Sequence, residues 1–476
     1  MAPGGAGVPA SMRKVLVLGA SRSGSSAAVA LARLGREVVL SDRRRPESLP
    51  SIAAALEAGV RFAPEDTLQV EWPMPDLVVK SPGVPGESRP VQLAREHGVP
   101  VWSELELAYV LFPNPFDAIT GTNGKTTTTA LLGHLFVTAG RPARVLGNIG
   151  VAVTSVDGEL GKDEELVVEV SSFQLEDIHA FRPAVGVFLN LTPDHLDRHG
   201  SMDRYLACKA NLFANQRPED VAVLNLADPV VAALGLDLAA REVGPRVAFF
   251  SVKPPADRPA ASARPDSWVD AGWIFFEGEP ALPVCDLRIP GLHNLENCLA
   301  AGTAALARGL DREAVAEGLR TFAGVAHRLE MAGMVAGVTY VNDSKATNVE
   351  ATLTALNAYP ENTHLILGGR DKASDYRPVA RACARGCRAV YLIGEATPLI
   401  EAAFAEVRER EGVAGVPEVG AYGDLETAVR AAARNAVPGD VVLLAPACAS
   451  FDQYANFEER GEHFRTLVAE LAGEAL

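Results

Sequence analysis

The sequence predicts an α/β protein in three domains: a Rossmann-like N-terminal domain, a central α/β domain opened by a phosphate loop, and a C-terminal Rossmann-like α/β domain. Its 476 residues allow about three hydrophobic cores at roughly 150 residues each. Short apolar runs ending in polar residues recur along the chain, separated by Ala-rich stretches of helical period, which is the alternation of a parallel sheet. The segment GTNGKTT, Gly121 to Thr127, stands between the strand-like DAIT and a long helical pattern, the setting a phosphate loop requires.

From Lys14, KVLVLGASRSGSSAAVALARLG reads as strand, Gly/Ser turn and helix, and EVVLSD and DLVVKSPGVP supply further strands of a first domain over residues 12–112. Pro-rich FPNPF at 112–116 reads as a linker. The central domain, 113–325, continues through ELVVEVSSFQLE, AVGVFLNLTPDHLD and DVAVLNLADP, each an apolar run with a polar end. Within it VKPPADRPAASARPDSW is expected as a surface loop, and GLHNLENCLAAGTAALARG as a closing helix. VTYVNDSKATN, THLILGG, AVYLIG and DVVLLAPACAS give the strands of a third domain, 326–476.

Composition narrows the function. A formal net charge of −16 argues against non-specific nucleic-acid binding, which needs a basic face to displace counterions. No apolar run approaches the roughly 20 residues that span a bilayer, and MAPGGAGVPAS at the start lacks the pattern of a secretory signal. A cytoplasmic location is expected, with no membrane partner. Cys208, Cys285, Cys298, Cys383, Cys387 and Cys448 form no CxxC pair and read as thiols of a reducing compartment. An acidic protein that binds anions must use local devices: metal ions, helix N-termini and a few placed cations.

The phosphate loop is such a device. Backbone N–H groups and the helix N-terminus cradle phosphate oxygens, Lys125 reaches the outer phosphates and Thr126 offers its hydroxyl to Mg²⁺. Ile119 stands where generic NTPases carry a further Gly, which disfavours a conventional GTPase or kinase. LVVEVSSF places Glu169 near the carboxyl end of a strand, where it suits Mg²⁺ or a helix cap. TPDHLDRHG gathers Asp194, His195, Asp197 and His199 without the spacing of a hydrolytic zinc site, so an imidazole beside a second Mg²⁺ is the preferred reading. Asn294 and Asn297 suit either helix capping or recognition of a nucleobase. Arg328 in HRLE is a fixed charge for a phosphate or for a carboxylate of the fold. GASRSG is a weak dinucleotide fingerprint, with Ser21 in place of the middle Gly and Asp42 at nearly the usual distance. A dehydrogenase would account for that segment and leave the phosphate loop without purpose.

Taken together, GTNGKTT, GNIG, EVSSFQLE, DHLDRHG, GLHNLEN, HRLE, NDSKATN, LGGRDK and LAPACASFDQYANFEERG resemble the motif set of the Mur ligase family, in order, from about residue 14 to about residue 465. SSFQLE, DSKATN and ACASFDQYANFEERG most resemble the branch of that family that adds D-glutamate. Folylpolyglutamate synthases share the loop and lack the C-terminal motifs.

The resemblance implies an ATP-dependent amide ligase that joins D-glutamate to UDP-N-acetylmuramoyl-L-alanine through an acyl phosphate, forming ADP, in peptidoglycan precursor synthesis. It implies UDP in the first domain, ATP in the second and the amino acid in the third, in a monomer. Ser21, Arg22, Ser23, Asp42, Arg43 and Gly83 would surround the uridine diphosphate, and Asn148 would contact the sugar or pyrophosphate. Gly121, Thr122, Asn123, Gly124, Lys125, Thr126, Thr127, Asn294, Asn297, Arg328, Asp343 and Lys345 would hold ATP. Thr126, Ser171 and Glu169 would surround one Mg²⁺, with His195 and Lys209 near a second; Lys209 would be carbamylated. Lys125, Glu169, His195 and Lys209 would be catalytic, and Thr347, Lys372, Ser450 and Phe457 would frame D-glutamate. Read on its own residues, Lys372 also suits a surface charge and Ser450 a helix cap.

Overall fold

Strands form where the apolar runs lie, and the computed structural model describes residues 4–68, 74–147, 151–254, 263–372 and 374–474. Among the described residues they assemble into three sheets. The first contains β1 (Lys14–Leu18), β2 (Glu37–Asp42), β3 (Arg61–Pro64), β4 (Leu77–Lys80) and β5 (Val101–Ser103). It is parallel throughout, in the order β3-β2-β1-β4-β5. The order reverses between β1 and β4, so a crevice opens beyond their carboxyl ends.

The second sheet comprises β6 (Phe116–Thr120), β7 (Ala143–Gly147), β8 (Glu165–Glu169), β9 (Val185–Phe188), β10 (Val221–Asn225), β11 (Arg246–Ser251), β12 (Ser267–Asp270), β13 (Trp273–Phe276) and β14 (Glu279–Pro283). Its order is β14-β13-β12-β11-β10-β9-β6-β8-β7. Pairing is parallel from β7 to β12 and antiparallel across β13 and β14. The two hairpins turn on Ala271-Gly272 and Glu277-Gly278, all four residues at positive φ, as two-residue turns matched to strand twist require.

The third sheet has β15 (Glu330–Val335), β16 (Val338–Asn342), β17 (Thr363–Gly368), β18 (Cys387–Ile393), β19 (Val419–Gly423) and β20 (Val441–Leu444), ordered β15-β16-β20-β17-β18-β19. Only β15 runs antiparallel to its neighbour. The chain separates into two compact units, Met1–Phe322 with the first two sheets and Ala323–Leu476 with the third.

Within the first unit, the segment read as a linker is packed. Phe112 and Phe116 are buried, and Asn114 Nδ2 donates to the carbonyls of Gly161 (2.8 Å) and Glu164 (2.9 Å). The rings of Tyr109, Phe116 and Phe181 meet edge to face with centroids 5.6–5.7 Å apart. The helix Glu104–Leu111 supplies the polar fastening. Glu106 accepts the backbone N–H groups of His179, Ala180 and Phe181 at 2.7–2.9 Å, and Glu104 accepts the N–H and hydroxyl of Thr154 at 2.7 and 2.8 Å. Lys80, at the end of β4, is wholly buried against Glu176 (2.6 Å) and Asp177 (2.7 Å), which follow the short helix Ser172–Leu175 beyond β8 of the central sheet. The two sheets are therefore joined by groups whose separation would strand several buried charges.

Glu106→Ala removes one acceptor from three backbone donors and is expected to destabilise the first unit by on the order of 3 kcal/mol, read as a lower urea midpoint. Glu106→Gln keeps an acceptor oxygen and should lose less. Equal midpoints for Glu106→Ala and the unaltered chain would refute this role.

Candidate active site

The phosphate loop begins where β6 ends at Thr120 and passes into the helix Lys125–Thr138. Gly124 enters that helix at φ 83°, and a Cβ there would stand 2.4 Å from Asn297 Oδ1, so both conformation and space demand glycine. Asn190, two residues after β9, holds the loop from the side. Its carbonyl accepts from Thr122 N–H (3.0 Å), its Oδ1 accepts from Asn123 N–H (2.8 Å), and its Nδ2 donates to Asn123 O (3.2 Å). The Lys125 ammonium folds over the loop and donates to the carbonyls of Gly121 (3.0 Å) and Thr122 (2.8 Å). Thr126 Oγ1 donates to Glu169 Oε2 at 2.7 Å. Thr127 is buried beside them on the first turn. A hydroxyl and a carboxylate thus sit together at the loop, a pair of hard oxygen donors of the kind Mg²⁺ takes.

Asn294 and Asn297 do not cap the helix Leu292–Ala307, whose N-cap is Gly291. They are buried in a relay instead: Thr128 Oγ1 donates to Asn297 Oδ1 (3.1 Å), Asn297 Nδ2 to Asn294 Oδ1 (3.2 Å), and Asn294 Nδ2 to Pro290 O (2.7 Å). Ser171 is a cap. Its Oγ accepts from Gln174 N–H at 3.3 Å, in a reciprocal capping box.

Lys209 is buried, and its ammonium donates to Gly121 O at 2.7 Å and lies 4.7 Å from the centre of the Tyr205 ring. Burial, with the nearby Lys125 charge, lowers its pKa to about 6, so above that pH the side chain is a free amine. His195 adopts φ 52°, is half exposed, and packs its ring 5.1 Å from that of Phe173. Such backbone strain in a non-glycine residue marks sites where position matters more than stability.

In the first sheet, Ser21, Asp42, Arg43, Gly83, Ser81 and Val84 line one cleft of about 330 Å³. Asp42 accepts from Ala20 N–H (2.8 Å) and Arg44 N–H (2.9 Å) and pairs with the Arg44 guanidinium (3.0 Å). Burial opposes ionisation there, but the Arg44 hydrogen bond and the two amides prevail and hold its pKa at about 2. Arg22 lines a second groove with Arg33 and Ser155, apart from the cleft, and Ser23 is half-buried on the helix Arg22–Arg33. Asn148 lies outside the described residues.

The second unit has its own cluster. Arg328 stands between His327 (φ 61°) and Leu329 (φ 43°), two further strained residues, and Leu329 N–H donates to Asp343 Oδ1 at 3.3 Å. Burial pushes the Asp343 carboxyl up to about 6 against the charges of Arg328 and Lys345. Lys372 is exposed and donates to Thr347 O at 3.2 Å; Lys345 Nζ lies 5.8 Å from the centre of the Phe457 ring. Ser450 is buried, and its carbonyl accepts from Gln453 and Tyr454 N–H at 3.1 and 2.9 Å. Beneath them lies Arg460, 1% exposed, donating to Ser344 Oγ and O (both 3.0 Å) and to Cys448 O (3.2 Å). One guanidinium fastens the loops after β16 and β20 that carry the candidate residues.

Residues 119–305 match the model of the Mur ligase middle domain and residues 327–448 that of the Mur ligase glutamate ligase domain. The UDP-N-acetylmuramoylalanine–D-glutamate ligase of Pelotomaculum thermopropionicum is 45% identical over 469 residues, covering 96% of this chain and 98% of its own. The protein of the same name from Acidobacterium capsulatum is 41% identical, with 97% of each chain covered. The chain belongs to the Mur ligase family. The fold of this Mur ligase agrees with that of UDP-N-acetylmuramate-alanine ligase from Thermotoga maritima, which superposes with a TM-score of 0.57 at 20% identity over 96% of this chain and 99% of that one.

Neither Asn190 nor Arg460 of this Mur ligase belongs to the residues that its motifs single out. Asn190 had a legible signal, a polar residue just past an apolar strand. Arg460 sits on an exposed-looking helical segment, FEERGEHF, and nothing in the spacing marks it as buried.

The titration of Asp343 gives a test. Its contribution to stability is fully present below the ordinary value of 3.8 and is lost as pH rises through about 6, because the folded chain keeps a proton that the unfolded chain has released. Asp343→Asn is expected to remove that part of the fall in the second unit's urea midpoint between about pH 4 and pH 6.5. An unaltered pH dependence in the variant would show that the carboxyl does not titrate in this window.

Proposed function

We propose that this Mur ligase is the D-glutamate-adding enzyme, an ATP-dependent acid–amino acid ligase that joins D-glutamate to UDP-N-acetylmuramoyl-L-alanine and forms ADP in cytoplasmic peptidoglycan precursor synthesis. The observation that carries this reading is the full-length identity of 45% and 41% with two relatives that bear that name. In this reading the first-sheet region, 12–112, takes the UDP group, 113–325 takes ATP, and 326–476 takes the amino acid, in a monomer.

A carboxylate is a poor electrophile. The alanine carboxylate oxygen therefore attacks the γ-phosphorus of ATP, the bond to the bridging oxygen breaks, and ADP leaves behind an acyl phosphate. The amine of D-glutamate then attacks the acyl carbon, phosphate departs with the bonding pair, and the amine proton is released. Lys125 leaves the loop carbonyls for the outer phosphates and neutralises charge developing on the transferring group. Gly121 to Thr127 present backbone N–H groups to the phosphates, and Asn294 and Asn297 hold the loop and its helix in place. Arg328, Asp343 and Lys345 serve the nucleotide. Lys372 and Ser450 bind the carboxylates of D-glutamate, with Thr347 and Phe457 at its flank.

Thr126 and Glu169, with His195 and a modified Lys209, would hold Mg²⁺ in two sites, and bound Mg²⁺ supplies charge neutralisation among the crowded phosphates. Carbamylation of Lys209 needs a neutral amine, and a pKa of about 6 provides one at neutral pH. The amine nitrogen bonds to the carbon of CO₂, a proton leaves, and the resulting carboxylate is an anionic metal ligand.

Phosphate release with UDP-N-acetylmuramoyl-L-alanine and a panel of amino acids tests the reading. D-glutamate alone should stimulate release by more than about a hundredfold over L-glutamate, L-alanine or diaminopimelate, because a site that holds both carboxylates with the amine aimed at the acyl carbon leaves polar groups unpaired with any of the others. Equal use of L-glutamate would refute it. For Lys209, the Lys209→Ala variant should lose activity and regain part of it with formate or acetate. Full activity without rescue would exclude the carbamate.

A further inference from the structure

Arg198 lies three residues beyond His195, on the short helix Leu196–His199, and its guanidinium reaches across to the first sheet. Nη1 donates to Pro82 O at 2.7 Å and Nη2 to Val84 O at 3.0 Å. Its carbon Cζ lies 3.8 Å from the centre of the Phe173 ring, and Nη2 is 3.7 Å from Glu176 Oε2. The side chain is only 18% exposed.

Pro82 and Val84 belong to the turn that follows β4, closed by Val84 N–H donating to Ser81 O at 3.0 Å. Ser81, Gly83, Val84 and Pro85 line the cleft that Asp42 and Arg43 face. In a trans peptide the carbonyl and the following N–H point in opposite directions, and no described peptide bond is cis. With Pro82 O turned to Arg198, Gly83 N–H is directed away from the guanidinium. Ser81 N–H is already engaged with Leu18 O and Val84 N–H with Ser81 O, while the two prolines have no N–H. Gly83 therefore supplies the turn's remaining amide donor among the described residues.

We propose that Arg198 is a positioning residue for the UDP-linked substrate: by holding the carbonyls of Pro82 and Val84 it fixes the turn that presents the Gly83 N–H to the UDP group in this cleft. The proposal rests on assigning this cleft to UDP. An arginine is needed because two carbonyls two residues apart call for two donors in one plane, and the same plane stacks on Phe173; a lysine holds one carbonyl as a point charge. Phe173 also packs against His195 and His199, with ring centroids 5.1 Å apart in each case, so the turn is tied to the DHLDRHG loop of the central sheet.

UDP binding measured by calorimetry without ATP separates the possibilities, using the unaltered chain, Arg198→Ala, Arg198→Lys and, as a control on the cleft, Arg43→Ala. Arg198→Ala is expected to weaken UDP binding about tenfold and Arg198→Lys by less, with KM for UDP-N-acetylmuramoyl-L-alanine rising in step and KM for ATP changing less than about twofold. Thermal melting identifies the variants that fold; if Arg198→Ala does not, Arg198→Lys decides. Unchanged UDP affinity in a folded Arg198 variant, with Arg43→Ala weakened, overturns the role of Arg198 alone. Equal rises in KM for ATP and for the UDP substrate also overturn it, as a general loss of structure. Absence of UDP binding in the unaltered chain, or an Arg43→Ala variant that binds normally, overturns the cleft assignment and this proposal with it.

Discussion

Parallel pairing forces the carboxyl ends of neighbouring strands onto one edge of a sheet, and the chemistry of this chain follows from that constraint. β6, β8 and β9 are adjacent and in register, Ile119 opposite Glu169 and Thr120 opposite Phe188. The phosphate loop, the carboxylate and Asn190 therefore emerge side by side although they are scattered in sequence. β16, β20 and β17 do the same in the second unit, where Asn342 pairs with Leu444 and Leu444 with Ile366. The loops that follow them meet around Arg460. Without that alignment, Thr126 could not reach Glu169 and the second unit would have no common centre for its motifs.

Precision in these loops comes from close approach and from strain. Gly124 lets Asn297 press against the phosphate loop, and a relay of side-chain amides carries that contact into the next helix. His195, His327, Leu329 and Ala447 take left-handed backbone conformations that cost a non-glycine residue of order 1–3 kcal/mol each. All four fall within motifs identified by sequence. Surrounding bonds must over-determine such residues, as those of Asn342 and Arg460 do for the loops of the second unit.

Much of this was legible beforehand because apolar runs and turn residues act locally. The strands, the phosphate loop and Glu169 at the end of β8 were read from the residues themselves; the C-terminal residues came through resemblance to the Mur ligases. What escaped depends on distant partners. FPNPF has the composition of a linker, yet both its phenylalanines are buried, Phe116 against the rings of Tyr109 and Phe181, and its asparagine finds two carbonyls, so it is core. Asn294 and Asn297 suit a cap by position, but glycine takes that place and the amides turn inward. Arg198 and Arg460 look like ordinary helical charges until the elements across from them are known. The hairpins of β12 to β14 carry only half of the usual signal, since Gly stands second in AG and EG while Ala271 and Glu277 replace the Asn or Asp favoured before it.

Arg460 makes carbonyl contacts where buried arginines usually meet carboxylates, and this bears on how an acidic protein attracts anions. Burial lowers its pKa to about 10, which leaves it charged at any physiological pH. Carbonyl dipoles solvate that charge without cancelling it, and in a poorly polarisable interior its potential extends farther than a surface lysine's would. On a chain whose formal net charge is −16, the strand-end loops of the second unit are thus underlaid by a fixed positive source. An anion held within those loops and out of bulk water would feel that charge with little screening by salt, whereas one still in solution would not.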